Sequence, residues 1–369
     1  MQRKVGLIVN PVAGMGGSVG LKGTDGGQMY EKALTLGAEP VTPDRTKELL
    51  AYIRHVHELH FFVAPKEMGE DFIKLLEVPY EVVGELGIET SASDTKKIAS
   101  QMIDQGIELL IFIGGDGTAR DIYDAIDAKV PVVAVPSGVK MFSSVFATNP
   151  RTAAKLVDAF VEGTHTTEEE VLDIDEDAFR EDTLSSRLYG YLLVPEAKQY
   201  IQLGKTASRV GKSSQHAKEE IAAYVIEEMD PERLYLLGPG TTLKAITNAM
   251  GLPKTLLGID AVCGKSLMGQ DLNEKDILNL LEGYEKRSII VTPIGGNGFI
   301  FGRGSKQFTP KVIRMVGKEH ILVVGTEQKI RSLDCLRVDT GDYELDEHLS
   351  GYLEVTVDYK RKIVFKVKC

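Results

Sequence analysis

Cysteine is scarce in this chain of 369 residues: Cys263, Cys335 and Cys369, far apart and odd in number. No CxxC pair occurs, which argues against a structural zinc site or a disulfide framework and for reduced thiols. A positive surplus is missing too. Lysine and arginine total 43 against 54 aspartates and glutamates, a net charge of −11. Neutralising nucleic-acid phosphates needs surplus Lys and Arg, so a nucleic-acid partner is disfavoured, and so is an anionic membrane surface. No apolar run approaches the ~18 residues of a membrane span. The first ten residues enter a strand pattern at once rather than a signal-peptide layout, so a cytoplasmic protein is expected. GxxxxGK[ST] is absent, which removes the P-loop.

Glycine, by contrast, is plentiful at 37 residues, above the usual ~7%, so phosphate loops and tight turns are expected. The length predicts two or three domains at roughly 100–200 residues each. Apolar runs at 5–9, 60–64, 80–83, 109–113 and 130–135 read as strands. Helical patterns lie between them: one opening at Thr42-Pro43, with Thr42 as the capping hydroxyl, one over 67–76, one opening at Ser93-Asp94 and one over 119–128. Another is capped by Asn149-Pro150 and runs to about residue 162. Seven glycines between Gly14 and Gly27 read as loop. The strands are apolar throughout, as when both sheet faces are covered. The pattern predicts a doubly wound parallel, Rossmann-like α/β domain over 1–149. Residues 150–369 predict a mixed α+β, β-rich region, with strands near 171–174, 188–194, 234–237, 256–262, 288–291 and 321–324. They also predict a helix over 213–229, with Ile221, Val225 and Met229 on one face, and a terminal hairpin over 351–367. An α/β unit over 213–334, flanked by β segments 165–205 and 335–369, is a finer division of that half.

The central motif is GGDGT, Gly114 to Thr118, between a strand and a helix. Gly114, Gly115 and Gly117 allow backbone to approach a ligand, and the helix N-terminus offers free N–H groups to phosphate. Asp116 falls at the carboxyl end of a strand, where open α/β sheets bind ligands. It would hold Mg²⁺ or meet a hydroxyl; the alternative is a tight turn with Asp as its cap. Asn10-Pro11, with Gly14, Gly16 and Gly17, follows the first strand and would open on the same edge, with Lys22 able to reach a phosphate. Ser137, Gly138 and Lys140 follow the strand at 130–135, and Lys140 is the candidate cation.

In the second half, Gly238-Pro239-Gly240 leads into Thr241 and Thr242 at a helix start, a second phosphate-cradle layout or a simple cap. Asp260 would bind ribose hydroxyls or sit exposed at a strand end. Gly296, within Gly295–Gly298, belongs to a third loop or to a turn. His55, His57 and His60 lack the spacing of a standard metal site and read as solvated or packing residues.

NPxAG at 10–14 and GGDGT at 114–118 resemble the NAD kinase and diacylglycerol kinase superfamily. PSGVKMFSSVFATNP (136–150), EVLDIDEDAFR (170–180), GPGTT (238–242) and TPIGGNGFIFGRG (292–304) resemble its predicted ATP-NAD kinase branch, which includes the acetoin-catabolism-associated kinase-like proteins. The resemblance covers nearly the whole chain. It implies transfer of a phosphoryl group from ATP, or polyphosphate, to the 2′-hydroxyl of NAD. It also implies Asp116 as the proposed base, Mg²⁺, and a homodimer or homotetramer. An aspartate is far too weak a base to hold an alkoxide, so Asp116 would orient the hydroxyl and accept its proton late, or ligate Mg²⁺. Most of the rate would come from positioning and charge neutralisation. The family's Asn-Glu pair for the ribose and adenine has no convincing counterpart, since Asn273-Glu274 reads as a helix start. The acceptor therefore stays open between NAD and another hydroxylated or sugar-phosphate metabolite. A lipid kinase and a non-catalytic nucleotide sensor are the readings from other classes.

Overall fold

Five largely apolar strands form the first sheet. They are β1 (Arg3–Val9), β2 (Leu59–Val63), β3 (Tyr80–Val82), β4 (Leu109–Gly114) and β5 (Val132–Pro136). Their order is β3-β2-β1-β4-β5, and every neighbouring pair is parallel. From Leu109 to Ile113 each side chain of β4 is fully buried. That requires cover on both faces, which explains the unbroken apolar run. Each such Leu, Ile or Phe contributes about 1.5–3 kcal/mol. The chain order turns back between β1 and β4, which makes their carboxyl ends the crevice of this sheet. The computed structural model describes residues 2–21, 27–87, 90–138, 141–174, 186–196, 212–294 and 296–368.

Helices α1 (Gly27–Thr35), α2 (Thr42–Tyr52), α3 (Glu70–Ile73), α4 (Ala92–Asp104), α5 (Asp116–Ile126) and α6 (Pro150–Val161) alternate with these strands. Asn149 caps α6 by accepting the Thr152 amide at 2.9 Å, as Asn before Pro predicts. Two local expectations fail, and one helix, α1, has no counterpart in the sequence pattern. The helix read over 67–76 is broken at Gly69 into a 3-10 turn, Lys66–Met68, and the single-turn α3. The glycine-rich loop ends at α1, which begins on Gly27. Thr42 does not cap α2: the cap is Val41, without a side-chain bond, and the buried Thr42 hydroxyl donates to Pro11 O at 3.2 Å.

The chain forms two compact units. Among the described residues, 2–15, 27–174 and 186–196 belong to the first, and 16–21 and 212–368 to the second. The first therefore also holds α6 and the antiparallel pair β6 (Thr166–Ile174) and β7 (Ser186–Pro195). A boundary at 149 cuts this unit, because α6 buries Ala153, Leu156 and Val157 in the core of the first sheet.

The second unit is built on a strand-rich sheet in the order β10-β9-β8-β11-β13-β15-β16-β14-β12. These strands are β8 (Leu234–Leu237), β9 (Asp260–Cys263), β10 (Ser266–Gly269), β11 (Arg287–Val291), β12 (Phe299–Phe301), β13 (Ile321–Val324), β14 (Leu336–Val338), β15 (Gly351–Asp358) and β16 (Arg361–Lys368). β8, β11, β13 and β15 run parallel, while β15 and β16 form the expected antiparallel hairpin. The strand expected over 256–262 shrinks to β9, because residues before Asp260 form a turn tied to its carboxylate.

Candidate functional site

Two loops meet at the crevice of the first sheet. Asn10 leaves β1, and its amide donates to Ile113 O on β4 at 2.9 Å. Its side-chain Nδ2 donates to Thr118 Oγ1 at 2.9 Å, while its Oδ1 accepts the Val12 amide at 3.2 Å. Asn10 thus links the first loop to GGDGT directly. Gly114 is required here: a Cβ would stand 2.4 Å from Thr118 Oγ1. Gly115 caps α5 and faces Gly138 Cα, 3.3 Å from where its own Cβ would be. Gly114 O accepts the amides of Ser137, at 2.9 Å, and Gly138, at 3.3 Å. Asn10, Gly114, Gly115, Asp116, Gly117, Thr118, Ser137 and Gly138 therefore gather at one edge. Gly14, with φ of 84°, lies in the adjoining turn. No side chain caps α5, so its first N–H groups and positive dipole end suit a phosphate.

Asp116 opens α5 and is 8% exposed. Its Oδ2 accepts the Phe142 amide at 2.7 Å and its Oδ1 the Ser143 amide at 3.0 Å. The segment it holds is pinned from the other side as well. Ser143 Oγ accepts the Leu172 amide, and Ser144 Oγ accepts the Glu170 amide, both from β6. Asp116 therefore orders the loop after β5, a task its sequence motif does not reveal.

Gly16 and Gly17 belong to the second unit, where the Glu274 amide donates to Ser18 O at 3.1 Å. Lys22, Lys140 and Gly295 lie outside the described residues. Asn273 caps a helix through the Asp276 amide at 3.0 Å, and Glu274 accepts the Thr309 hydroxyl at 2.6 Å, so this pair is a helix start as read. His55 hydrogen-bonds Glu58 and Glu162, and His60 pairs with Glu81. The bond to Glu58 holds the His55 imidazole above its ordinary pKa. Among the described residues no three His, Cys, Asp or Glu side chains gather as metal ligands do.

Asp260 departs from expectation. It begins β9 rather than ending a strand, is fully buried, and pairs with buried Lys254 at 3.0 Å. It also accepts the Thr255 amide and hydroxyl, each at 2.9 Å, and the Asp271 amide at 2.8 Å. With its oxygens so engaged, it braces a turn and offers no face to a ribose.

Gly238 and Gly240 lead from β8 to the helix Thr241–Ala249 as expected, with Gly240 as cap at φ 122°. Thr241 is exposed and Thr242 buried. Gly296 lies in a turn beside Asn297, which is fully buried and whose side-chain nitrogen and oxygen have no partner. Sequence reasoning missed buried Lys218 and Thr292 and half-buried Lys329, which lie near these loops. Lys218 left a readable trace: it stands three and seven residues before Ile221 and Val225, on the same helical face.

Residues 5–165 match the family model of the ATP-NAD kinase N-terminal domain, and residues 230–367 match that of the ATP-NAD kinase C-terminal domain. The chain belongs to the ATP-NAD kinase family. It is an ATP-dependent kinase, a phosphotransferase acting on a hydroxyl. No curated protein matches it. Within this kinase no helix of the described residues is long and apolar enough to cross a membrane.

Proposed function

We propose that this kinase transfers the terminal phosphoryl group of ATP to the 2′-hydroxyl of NAD, giving NADP, at the crevice between β1 and β4. The observation that carries the reading is the Asn10–Thr118 hydrogen bond, which joins the amino-terminal loop to GGDGT where the strand order reverses. Amides at the start of α5 and in the flanking loops cradle phosphate oxygens. Asp116, fixed by the Phe142 and Ser143 amides, orients the acceptor hydroxyl and takes the proton late. Held from two sides, the carboxylate needs little rearrangement as charge develops.

Mg²⁺ fits this donor set as an ion that arrives on the nucleotide: one carboxylate, Asp116, plus phosphates and water is an ordinary magnesium environment. When bound, it neutralises phosphate charge. The same reading gives a homodimer or homotetramer in the cytoplasm that works on small-molecule nucleotides. It also places the chain in the acetoin-associated branch.

Purified protein with ATP, Mg²⁺ and NAD should form NADP, and Asp116→Asn should lower the rate by about 10²-fold or more. The amide of Asn would also set an N–H against a loop N–H. Clean protein that makes no NADP but phosphorylates another alcohol would move the acceptor and keep the kinase. That second reading, a sugar-phosphate or other hydroxylated acceptor, is favoured by one observation: Asn273 and Glu274 are spent on helix capping and on Thr309. Replacing ATP by polyphosphate in the same assay tests the donor. Vesicle flotation tests the lipid-kinase reading, and nucleotide binding without turnover would make the protein a sensor. Sedimentation measures the oligomer.

A further inference from the structure

Within the second unit, the carboxyl ends of the parallel strands β8, β11 and β13 collect polar groups that the described residues leave unmatched. Lys329 lies in the short helix that follows β13. Its ammonium is buried, and its hydrogen-bond partner is Pro293 O, just beyond β11. Lys218, on the buried face of the helix Lys212–Glu227, is 7% exposed and has no hydrogen-bond or ion-pair partner among the described residues. The charge of Lys218 acts on Lys329, and it is repulsive; no carboxylate among the described residues offsets it. Burial and that repulsion hold the Lys329 ammonium down to about 8. Beyond Pro293, Thr292 is 4% exposed and its hydroxyl has no partner. Its methyl stands 2.8 Å from where a Cβ on Gly240 would be. Thr292 thus lies against the cap of the nine-residue helix Thr241–Ala249, whose N-terminus has no side-chain cap.

A buried ammonium without a counter-charge is costly, two near each other more so, and a buried hydroxyl without a partner adds to it. Such groups persist where a ligand matches them. These are two ammoniums, one hydroxyl able to donate, and a set of backbone N–H groups. Donors of this kind answer a dianion with several oxygens, at the strand ends where α/β sheets hold ligands.

We propose that the second unit carries its own phosphate site, which takes a phosphate monoester. Lys218 and Lys329 neutralise the dianion, Thr292 donates one hydrogen bond, and the amides opening Thr241–Ala249 hold the remaining oxygens. This goes beyond the assignment of NAD as acceptor and does not depend on it.

Titration calorimetry on the full chain tests the site with inorganic phosphate, ribose 5-phosphate, ATP and unphosphorylated ribose. Phosphate and ribose 5-phosphate should bind, and ribose should not. Lys218→Met and Lys329→Met should each weaken phosphate at least ~10-fold. If the two methionine variants also weaken ATP, the phosphate belongs to the nucleotide; if they weaken ribose 5-phosphate alone, it belongs to a sugar phosphate. Methionine keeps the length and removes the buried charge, so both variants should melt no lower than the parent. Lys329→Arg, which keeps the charge, should retain binding should a methionine variant fail to fold. No phosphate binding by the parent at millimolar concentration, or full affinity in both methionine variants, overturns the proposal. The NADP assay is separate, so either reading can fail alone.

Discussion

The carboxyl edges of the two sheets are finished in opposite ways. In the first unit Asp116 is held by two loop amides, and Asn10, Thr118 and Gly114 lock the neighbouring loops by direct hydrogen bonds and close backbone approach. In the second unit buried Lys218 and Thr292 and half-buried Lys329 have few or no partners among the described residues. Both edges follow parallel strands, and both lead from glycine into a helix. Among the described residues, the polar side chains of the first edge are matched by the protein's own groups, and those of the second are not. A shared topology therefore does not fix how much of a site's electrostatics the fold completes.

Two buried lysines of the second unit sharpen the contrast. Lys254 has a full set of partners in Asp260, Thr255 O and Gly258 O. Lys254→Met should strand the Asp260 carboxylate and cost about 3–5 kcal/mol, read from denaturant unfolding. Lys329→Met should do the reverse in phosphate-free buffer. Holding its ammonium at about 8 rather than 10.5 costs the folded state about 3 kcal/mol at neutral pH. The unfolded chain keeps the proton between pH 8 and 10.5 and the folded protein sheds it, so parent stability should climb with pH across that window. Below pH 8 the penalty is present in full. In Lys329→Met this climb should shrink; an unchanged profile would mean that the ammonium is not buried without charge compensation.

Gly114→Ala probes the self-completed edge. The new methyl would collide with Thr118 and displace the group that Asn10 grips. A loss of about 1–3 kcal/mol is expected, together with faster hydrogen exchange at the loop amides, while phosphate binding in the second unit stays as it was. Equal stability and exchange in the variant would show that the two loops are not tied through Thr118.

Much of the fold could be read from local pattern. Apolar runs without alternation gave β1, β4 and β5, Asn149-Pro150 gave the start of α6, and Leu234–Leu237 with its glycine exit gave β8. The misreadings have local causes. Gly69 splits one helix, and Lys254 with Asp260 turns the first half of an apolar run into a tied loop. Helix α6 closes the core of the first sheet although it lies beyond a plausible boundary. At the candidate site GGDGT and NPxAG were visible because glycine spacing is local. The Asp116 contacts to residues 142 and 143 were not, because a hydrogen bond across 26 positions leaves no period in the sequence.

By itself, the sequence determined the parallel α/β character of the first sheet, the glycine exits of its strands and the family to be expected. Those depend on side-chain type and short spacing. Tertiary structure decided which charges are answered: Asp260 by Lys254, Asp116 by amides, and Lys218 by no described residue. Burial and partner choice are set by segments distant in the chain, and electrostatic cost depends on both.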